Sequence, residues 1–444
     1  MNIPTNILAL VFVLSFLIVF HEGGHFAVAK LFRFPVEVFS VGFGKRLFGF
    51  KRKETDYRVS LIPLGGYVKV IGLGPDESDV VSGNDAVAPA VGARWQRLVV
   101  LFAGPGVNLV MAILLTAAAL MIGMEVPKYQ EEAPVVKHVD AGSPAEKAGV
   151  KVDDRIVALS GRPVSTWREV EMDLGLAPRE LIRVGLLREG ESLELELRPE
   201  PQTKYDIGYT GLNPYLPPIV DRLVPGYPGA KAGLKAGDRI ISVGGRGVSG
   251  YYEIVRRVRE ASSKFGELGP SPIEFVVERP EGHITIPIVP RKEASSWKIG
   301  FAPRTEMVRR SLGLLAALTA SWEENVRQTR TTFSTVARLV RGTGSIRQLS
   351  GPIDIAKFSG EAARTGLAPL LGLMGVLSLQ LGILNLLPIP LLDGGQILIT
   401  LLEAAARRDF SLKVKERLLQ AGFVFLVLLM VTVLAFDVVK NLSF

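Results

Sequence analysis

The sequence predicts a polytopic α-helical membrane protein, with four transmembrane helices and a membrane-associated β-hairpin, plus two inserted α+β domains. Three observations carry that prediction. Residues 3–29, 98–124, 367–387 and 418–439 are each apolar over about the 20 residues that a bilayer crossing requires. The stretch between the second and third of these contains one pattern twice, at an offset of 84 residues. The whole chain, 444 residues with 48% hydrophobic and 22% charged residues and a mean hydropathy of +0.29, is too apolar for an ordinary soluble enzyme and too charged to lie wholly in a membrane.

The formal net charge of +8 is carried largely by loops beside apolar runs rather than by one aromatic-laced patch, so membrane orientation explains it and no nucleic-acid partner is expected. The absence of cysteine excludes a disulfide framework and thiol chemistry, and leaves His and carboxylates as the only side chains able to hold zinc.

The first span contains His21-Glu22-Gly23-Gly24-His25 in the middle of its apolar run. On a helix the two imidazoles lie one turn apart on the same face and can hold one ion, with Glu22 beside them to take a proton from water. In a soluble surface helix such a match arises by chance. Inside a spanning segment each ionisable group costs about 2.5–3.5 kcal/mol, which favours a zinc site with His21 and His25 as ligands and Glu22 as general base. Gly23 and Gly24 either admit close backbone approach or let water reach the site. The run lacks a basic n-region and holds the candidate ligands, so it is expected to stay as a membrane segment rather than be removed as a leader.

The loop between the first two spans is rich in Lys and Arg, as is the short loop between the last two. By the positive-inside rule both are cytoplasmic, and the termini and the large insert lie on the outer side. Within the first loop, residues 57–70 read as two β-rich runs around a Pro63-Leu64-Gly65-Gly66 turn. They form either a plain hairpin at the membrane surface or an exposed strand edge that pairs with an extended substrate. The second span opens with Gly104-Pro105-Gly106-Val107-Asn108, where small residues suit helix packing and Asn108 is expected to make a polar cross-helix bond at most.

In the insert, residues 143–157 match residues 228–241, with Pro144, Gly149, Asp154 and Ile156 each 84 residues before Pro228, Gly233, Asp238 and Ile240. The pattern resembles the bacterial, circularly permuted PDZ domain, which binds extended peptides by strand addition; a rigid spacer or size filter is the other reading. The first copy departs from the pattern with Asp153 where the second has Gly237. Residues 309–341 read as an amphipathic helix lying along the outer membrane face.

The third span ends in Asn385-Leu386-Leu387-Pro388-Ile389-Pro390-Leu391-Leu392-Asp393-Gly394-Gly395. Two prolines interrupt the helix at membrane depth, and Asp393 just beyond is either a third zinc ligand or the end of the helix at the cytoplasmic edge. The expected division is 1–34 (first span with the zinc motif), 35–97 (cytoplasmic loop with the hairpin), 98–124 (second span), 125–202 and 203–292 (the repeated domains) and 293–366 (amphipathic linker helices). Residues 367–397 (third span with the Asp393 motif), 398–417 (cytoplasmic loop) and 418–444 (fourth span and C-terminus) complete it.

These motifs, with Leu349-Ser350-Gly351-Pro352 between the insert and the third span, occur in the order seen in the site-2 protease family of intramembrane zinc metalloproteases. Nearly the whole chain resembles the bacterial RseP type with tandem PDZ domains. The resemblance implies one zinc ion held by His21, His25 and Asp393, Glu22 as general base, Asn385 in substrate-backbone binding or oxyanion support, and a membrane-entering β-loop at Gly65-Gly66. It implies regulated intramembrane proteolysis in the bacterial inner membrane, with single-span membrane proteins as substrates: anti-sigma factors already trimmed by another protease, or signal-peptide remnants. A catalytically inactive PDZ-based scaffold is the rival class, against which the intact Glu22 argues. A transporter is disfavoured because the internal repeat lies in the insert rather than among the spans.

Overall fold

The computed structural model describes residues 3–71, 73, 92–202, 206–263, 265, 270–293, 296–342 and 350–442. The chain folds as two compact units, Met1–Met124 with Arg310–Phe444, and Glu125–Arg309. The first begins with α1 (Ile3–Leu31), whose buried residues Asn6, Ala9, Val13, Leu17, His21, Gly24 and His25 recur at three- and four-residue steps and define one packed face. The strands β1 (Val36–Arg52) and β2 (Thr55–Val70) follow and pair antiparallel. Their turn lies at Lys53-Glu54, not at the expected Pro63-to-Gly66 position. Residues 66–70 pair with Val36 to Val41, and residues 55–60 pair with Arg46 to Arg52. The reason is in β1: Gly42, Gly44 and Gly49 take positive φ, so the strand bends and offers partners to both β-rich runs. The helix α2 (Arg94–Ile122) then returns along α1.

The second unit contains the duplication. In the first copy a four-residue turn α3 (Pro144–Lys147) precedes β3 (Arg155–Leu159), β4 (Arg162–Pro163), α4 (Trp167–Gly175), β5 (Ile182–Arg188) and β6 (Glu191–Leu197), with sheet order β4-β3-β5-β6. The second copy repeats this as α5 (Pro228–Lys231), β7 (Arg239–Val243), β8 (Arg246–Gly247), α6 (Tyr251–Ser262), β9 (Ile273–Arg279) and β10 (Gly282–Ile288), in the order β8-β7-β9-β10. Each copy closes its own core, and the cores correspond residue by residue. Val136, Val150, Ile156, Val170 and Leu174 match Val220, Leu234, Ile240, Ile254 and Val258, while Val184, Leu186 and Leu197 match Phe275, Val277 and Ile288. Asp153 and Gly237 both take left-handed φ, +73° and +93°, so the turn survives the substitution of Gly by Asp, a residue that tolerates this region.

Back in the first unit, α7 (Leu314–Val340) leads to α8 (Pro352–Thr365), α9 (Leu367–Asn385), α10 (Asp393–Ala406) and α11 (Leu412–Leu442). Leu349 of the motif before α8 lies outside the described residues. The helices α1, α2, α9 and most of α11 are long and apolar enough to cross a membrane. Two expectations are corrected here. Rather than lying along the outer face, α7 runs antiparallel beside α2: the Leu312 N–H donates to the Leu120 carbonyl (3.0 Å) at one end of α2 and Ser321 Oγ to the Ile113 carbonyl (2.7 Å) further along. Deeper still, Gln380 of α9 bonds Thr332. An amphipathic pattern fixes which face is buried but not the surface that buries it. Residues 398–417 are not a simple loop, since α10 fills half of them and Glu403, 1% exposed, bonds Lys415 Nζ (2.8 Å) and the Phe410 N–H (2.7 Å). The polar cross-helix bond expected of Asn108 is present and runs to His21 of α1.

Candidate metal centre

The sequence places His21 and His25 one turn apart on α1, and the break after α9 delivers Asp393 to them. Pro388 and Pro390 cannot continue the helix, and the segment satisfies its freed backbone locally: the Leu386 N–H reaches the Gly382 carbonyl, the Leu392 N–H the Ile389 carbonyl (2.8 Å), and Gln396 Nε2 the Pro390 carbonyl (3.0 Å). Gly394 and Gly395 permit this folding back, because a Cβ on either would lie 2.3 Å or less from backbone atoms of Leu386 or Ile389. Asp393 is thereby fixed as the first residue of α10.

The three side chains converge. His21 Nε2 lies 3.2 Å from Asp393 Oδ2, His25 Nε2 lies 3.4 Å from Asp393 Oδ1, and the two Nε2 atoms are 3.3 Å apart. Both imidazoles are buried. These separations are those of a tetrahedral zinc coordination sphere, whose bonds of about 2.0–2.1 Å give ligand–ligand edges of about 3.3 Å. The hydrogen bond behind His25 also fits a metal. The Val100 carbonyl lies 2.8 Å from His25 Nδ1 and can only accept, which puts the proton on Nδ1 and leaves the Nε2 lone pair facing the centre. Two imidazoles and one carboxylate leave a fourth position for water or substrate.

The other residues singled out from the sequence sit around this point. Asn385 Nδ2 is 3.2 Å from His21 Nε2. Glu22 packs toward β2, where a Cβ on Gly66 would lie 3.6 Å from Glu22 Cγ and 2.7 Å from the Ser40 carbonyl. Gly65, at φ +141°, lies against the Phe43 ring, 2.2 Å from where its Cβ would be. The pair is therefore held as glycine by close approach, and it brings a strand to the side of the general-base candidate.

Sequence reasoning missed the face of α2 that receives the imidazoles. Val100, Gly104 and Asn108 follow one another at single-turn spacing: Val100 accepts from His25, Gly104 lies under His25, and the Asn108 amide lies 3.0 Å from His21 Nδ1. The signal was the four-residue step from Gly104 to Asn108, which equals the step from His21 to His25.

The description "Peptidase family M50" matches residues 9–429. The chain belongs to this family. It is 32% identical over 441 residues to a Vibrio cholerae protein named "Putative zinc metalloprotease", covering 94% of each chain. It is 30% identical over 444 residues to the Regulator of sigma-E protease RseP of Escherichia coli, again covering 94% of each, and 30% identical over 459 residues to the protein of that name from Salmonella typhimurium, covering 97% of each. As an M50 peptidase of the site-2 protease type, the chain is a membrane-embedded zinc metalloprotease.

Proposed function

We propose that the chain hydrolyses a peptide bond within the transmembrane segment of single-span membrane proteins. The observation that carries this is the convergence of His21, His25 and Asp393 on and beside helices long enough to cross a membrane, since a hydrolytic donor set at that depth meets its substrate there. His21 and His25 through Nε2, and Asp393 through its carboxylate, hold one zinc ion. The chemistry the ion supplies when bound is Lewis acidity toward water and toward the scissile carbonyl.

The protein's own groups do the rest. Glu22 accepts a proton from water as the water oxygen bonds to the carbonyl carbon, and gives it to the departing amine nitrogen as the C–N bond breaks. Asn385 donates from Nδ2 to the carbonyl oxygen as negative charge develops there. The strand through Gly65 and Gly66 pairs with the substrate backbone, which must leave its helix before its amide can be attacked.

The Lys- and Arg-rich loops support an active site toward the cytoplasmic side of a bacterial inner membrane, with both termini and the insert on the outer side. The repeated strand order supports reading residues 125–202 and 203–292 as two PDZ domains. The relatives named for sigma-E regulation support a regulator of a sigma factor as substrate; that this is an anti-sigma factor trimmed beforehand by another protease, with signal-peptide remnants as a second class, is proposed on the family resemblance. The test is cleavage of a single-span protein by the purified wild type and by Glu22→Gln, with and without a zinc chelator. Cleavage should require both Glu22 and zinc. A folded, zinc-loaded wild type that cuts neither an intact nor a shortened substrate would favour a PDZ-based scaffold instead.

A further inference from the structure

We propose that Asn108 is a positioning residue of the metal centre, whose side-chain carbonyl accepts the Nδ1–H of His21 and so holds that imidazole in the form that presents Nε2 to the ion. The inference rests on His21 being a ligand. Asn108 is fully buried at the α1–α2 contact, and its amide lies 3.0 Å from His21 Nδ1. With Nδ2 turned toward the ring, Oδ1 is buried with no hydrogen-bond partner among the described residues. That arrangement would need a lone pair on Nδ1, which would put the ring proton on Nε2 and block coordination. The Gly104 backbone, one turn before Asn108, also hydrogen-bonds the His21 ring, and a carbonyl can only accept. A half-turn of the amide about Cβ–Cγ agrees with that: Oδ1 accepts from Nδ1–H, and the Nε2 lone pair faces Asp393 and His25.

The backbone around Asn108 is itself pinned. Ser378 of α9 donates from Oγ to the Asn108 carbonyl (2.8 Å). Gly375 and Gly382, on either side of Ser378, allow the close approach, since a Cβ on them would lie 2.5 Å from Thr116 Oγ1 and 3.1 Å from Leu109 Cδ2 respectively. Both ligand imidazoles are then oriented by one face of α2, His25 by the Val100 carbonyl and His21 by Asn108 together with the Gly104 backbone.

The experiment is a zinc-affinity measurement by competition with a chelator on the full-length protein in detergent, comparing wild type, Asn108→Ala, Asn108→Asp and His21→Ala, with thermal unfolding of each zinc-free form. Asn108→Ala should bind zinc about 10–100-fold more weakly at unchanged zinc-free stability, whereas Asn108→Asp, which keeps an acceptor, should bind within a few-fold of wild type. Equal affinity of the Ala variant and wild type, or equal losses in the Ala and Asp variants, would overturn the proposal. Wild-type affinity in His21→Ala would instead overturn the ligand assignment beneath it. Should Asn108→Ala not fold, nitrogen NMR of histidine-labelled, zinc-loaded wild type and Asn108→Asp decides. The proposal requires a protonated His21 Nδ1 whose resonance moves between the two proteins, and an unmoved resonance rejects it.

Discussion

Gly104 stands so close to His25 that a methyl group built on its Cα would lie 2.1 Å from Nε2, the nitrogen facing Asp393. The obstruction falls on a ring held from behind by the Val100 carbonyl, so the imidazole cannot withdraw without losing that bond. Gly104→Ala should therefore abolish zinc binding and proteolysis while leaving helix content unchanged, as read by metal analysis and circular dichroism. Gly106→Ala is the control. Among the described residues its added methyl meets Phe102 of the same helix alone, at 3.2 Å, and it gains about 1 kcal/mol of helix propensity. A Gly104→Ala protein with full zinc content would refute the packing argument.

Asp393 is the one candidate ligand that reaches the centre from the broken helix, and its two oxygens face the two imidazoles separately. Asp393→Asn keeps the shape but loses the anion. Zinc affinity should fall by more than the roughly 10–100-fold associated with partners outside the coordination sphere, and chelator treatment should inactivate the wild type reversibly on zinc addition. Full zinc occupancy and activity in Asp393→Asn would mean that the ion is held elsewhere.

What the sequence made legible was what repeats locally: four apolar runs, the His21-to-His25 step, the proline pair before Asp393, and the 84-residue duplication. Contacts at long separation were not legible. His21 meets Asn108 across 87 residues, and the one trace of this in the sequence, the four-residue step from Gly104 to Asn108, is a step that ordinary helix packing also produces. The hairpin turn was misplaced because Pro63-Leu64-Gly65-Gly66 carries stronger turn chemistry than Lys53-Glu54, yet the glycines of β1 let a distant strand compete for the same partners. The duplication was followed only as far as its constant offset. Beyond α6, which is longer than α4, the correspondence moves to 91 residues, and so the pairing of Arg188 with Asp154 and of Arg279 with Asp238 stayed hidden.

Those two pairs give the insert a predictable acid response. In each copy the buried carboxylate accepts from an arginine (2.7 Å from Arg188 Nη2, 2.6 Å from Arg279 Nε) and from the N–H of Lys151 or Lys235, and the arginine also donates to the Gly149 or Gly233 carbonyl. Burial raises the Asp154 and Asp238 pKa values, but the arginine bonds, the backbone N–H and the nearby positive charges outweigh it and leave both below the ordinary 3.8. A depressed carboxyl stabilises the fold fully above its unfolded-state value, and that contribution is lost as pH falls through the lower native value. Hydrogen exchange at Ile156 and Ile240 should accordingly quicken, beyond the intrinsic pH effect, as the pH drops below about 4. Arg279→Gln should destabilise the second copy by about 3–5 kcal/mol by leaving Asp238 buried without its partner. It should also flatten the acid dependence at Ile240 while leaving that at Ile156 intact. Equal responses at both sites would show that the copies do not carry independent pairs.

If the strand beside Glu22 positions substrate, as proposed, a change in it should separate that role from metal binding. A side chain at Gly66 meets the Ser40 carbonyl at 2.7 Å, which is backbone and cannot turn aside, so β2 must shift relative to β1 and to the Glu22 side of α1. None of the three converging donors lies on β2, and their spacing is set by α1, α2 and the segment before α10. Gly66→Val should therefore keep wild-type zinc affinity and lose cleavage of a transmembrane substrate by about 10²-fold, the scale expected when a positioning element moves by about 1 Å. If the strand pairs with substrate backbone, a short, unstructured peptide, which has no helix to unwind, should be cut by Gly66→Val with a smaller loss than the transmembrane substrate. Equal losses on both substrates would mean that β2 acts by placing Glu22, and a lowered zinc affinity would mean that the strand supports the metal centre itself.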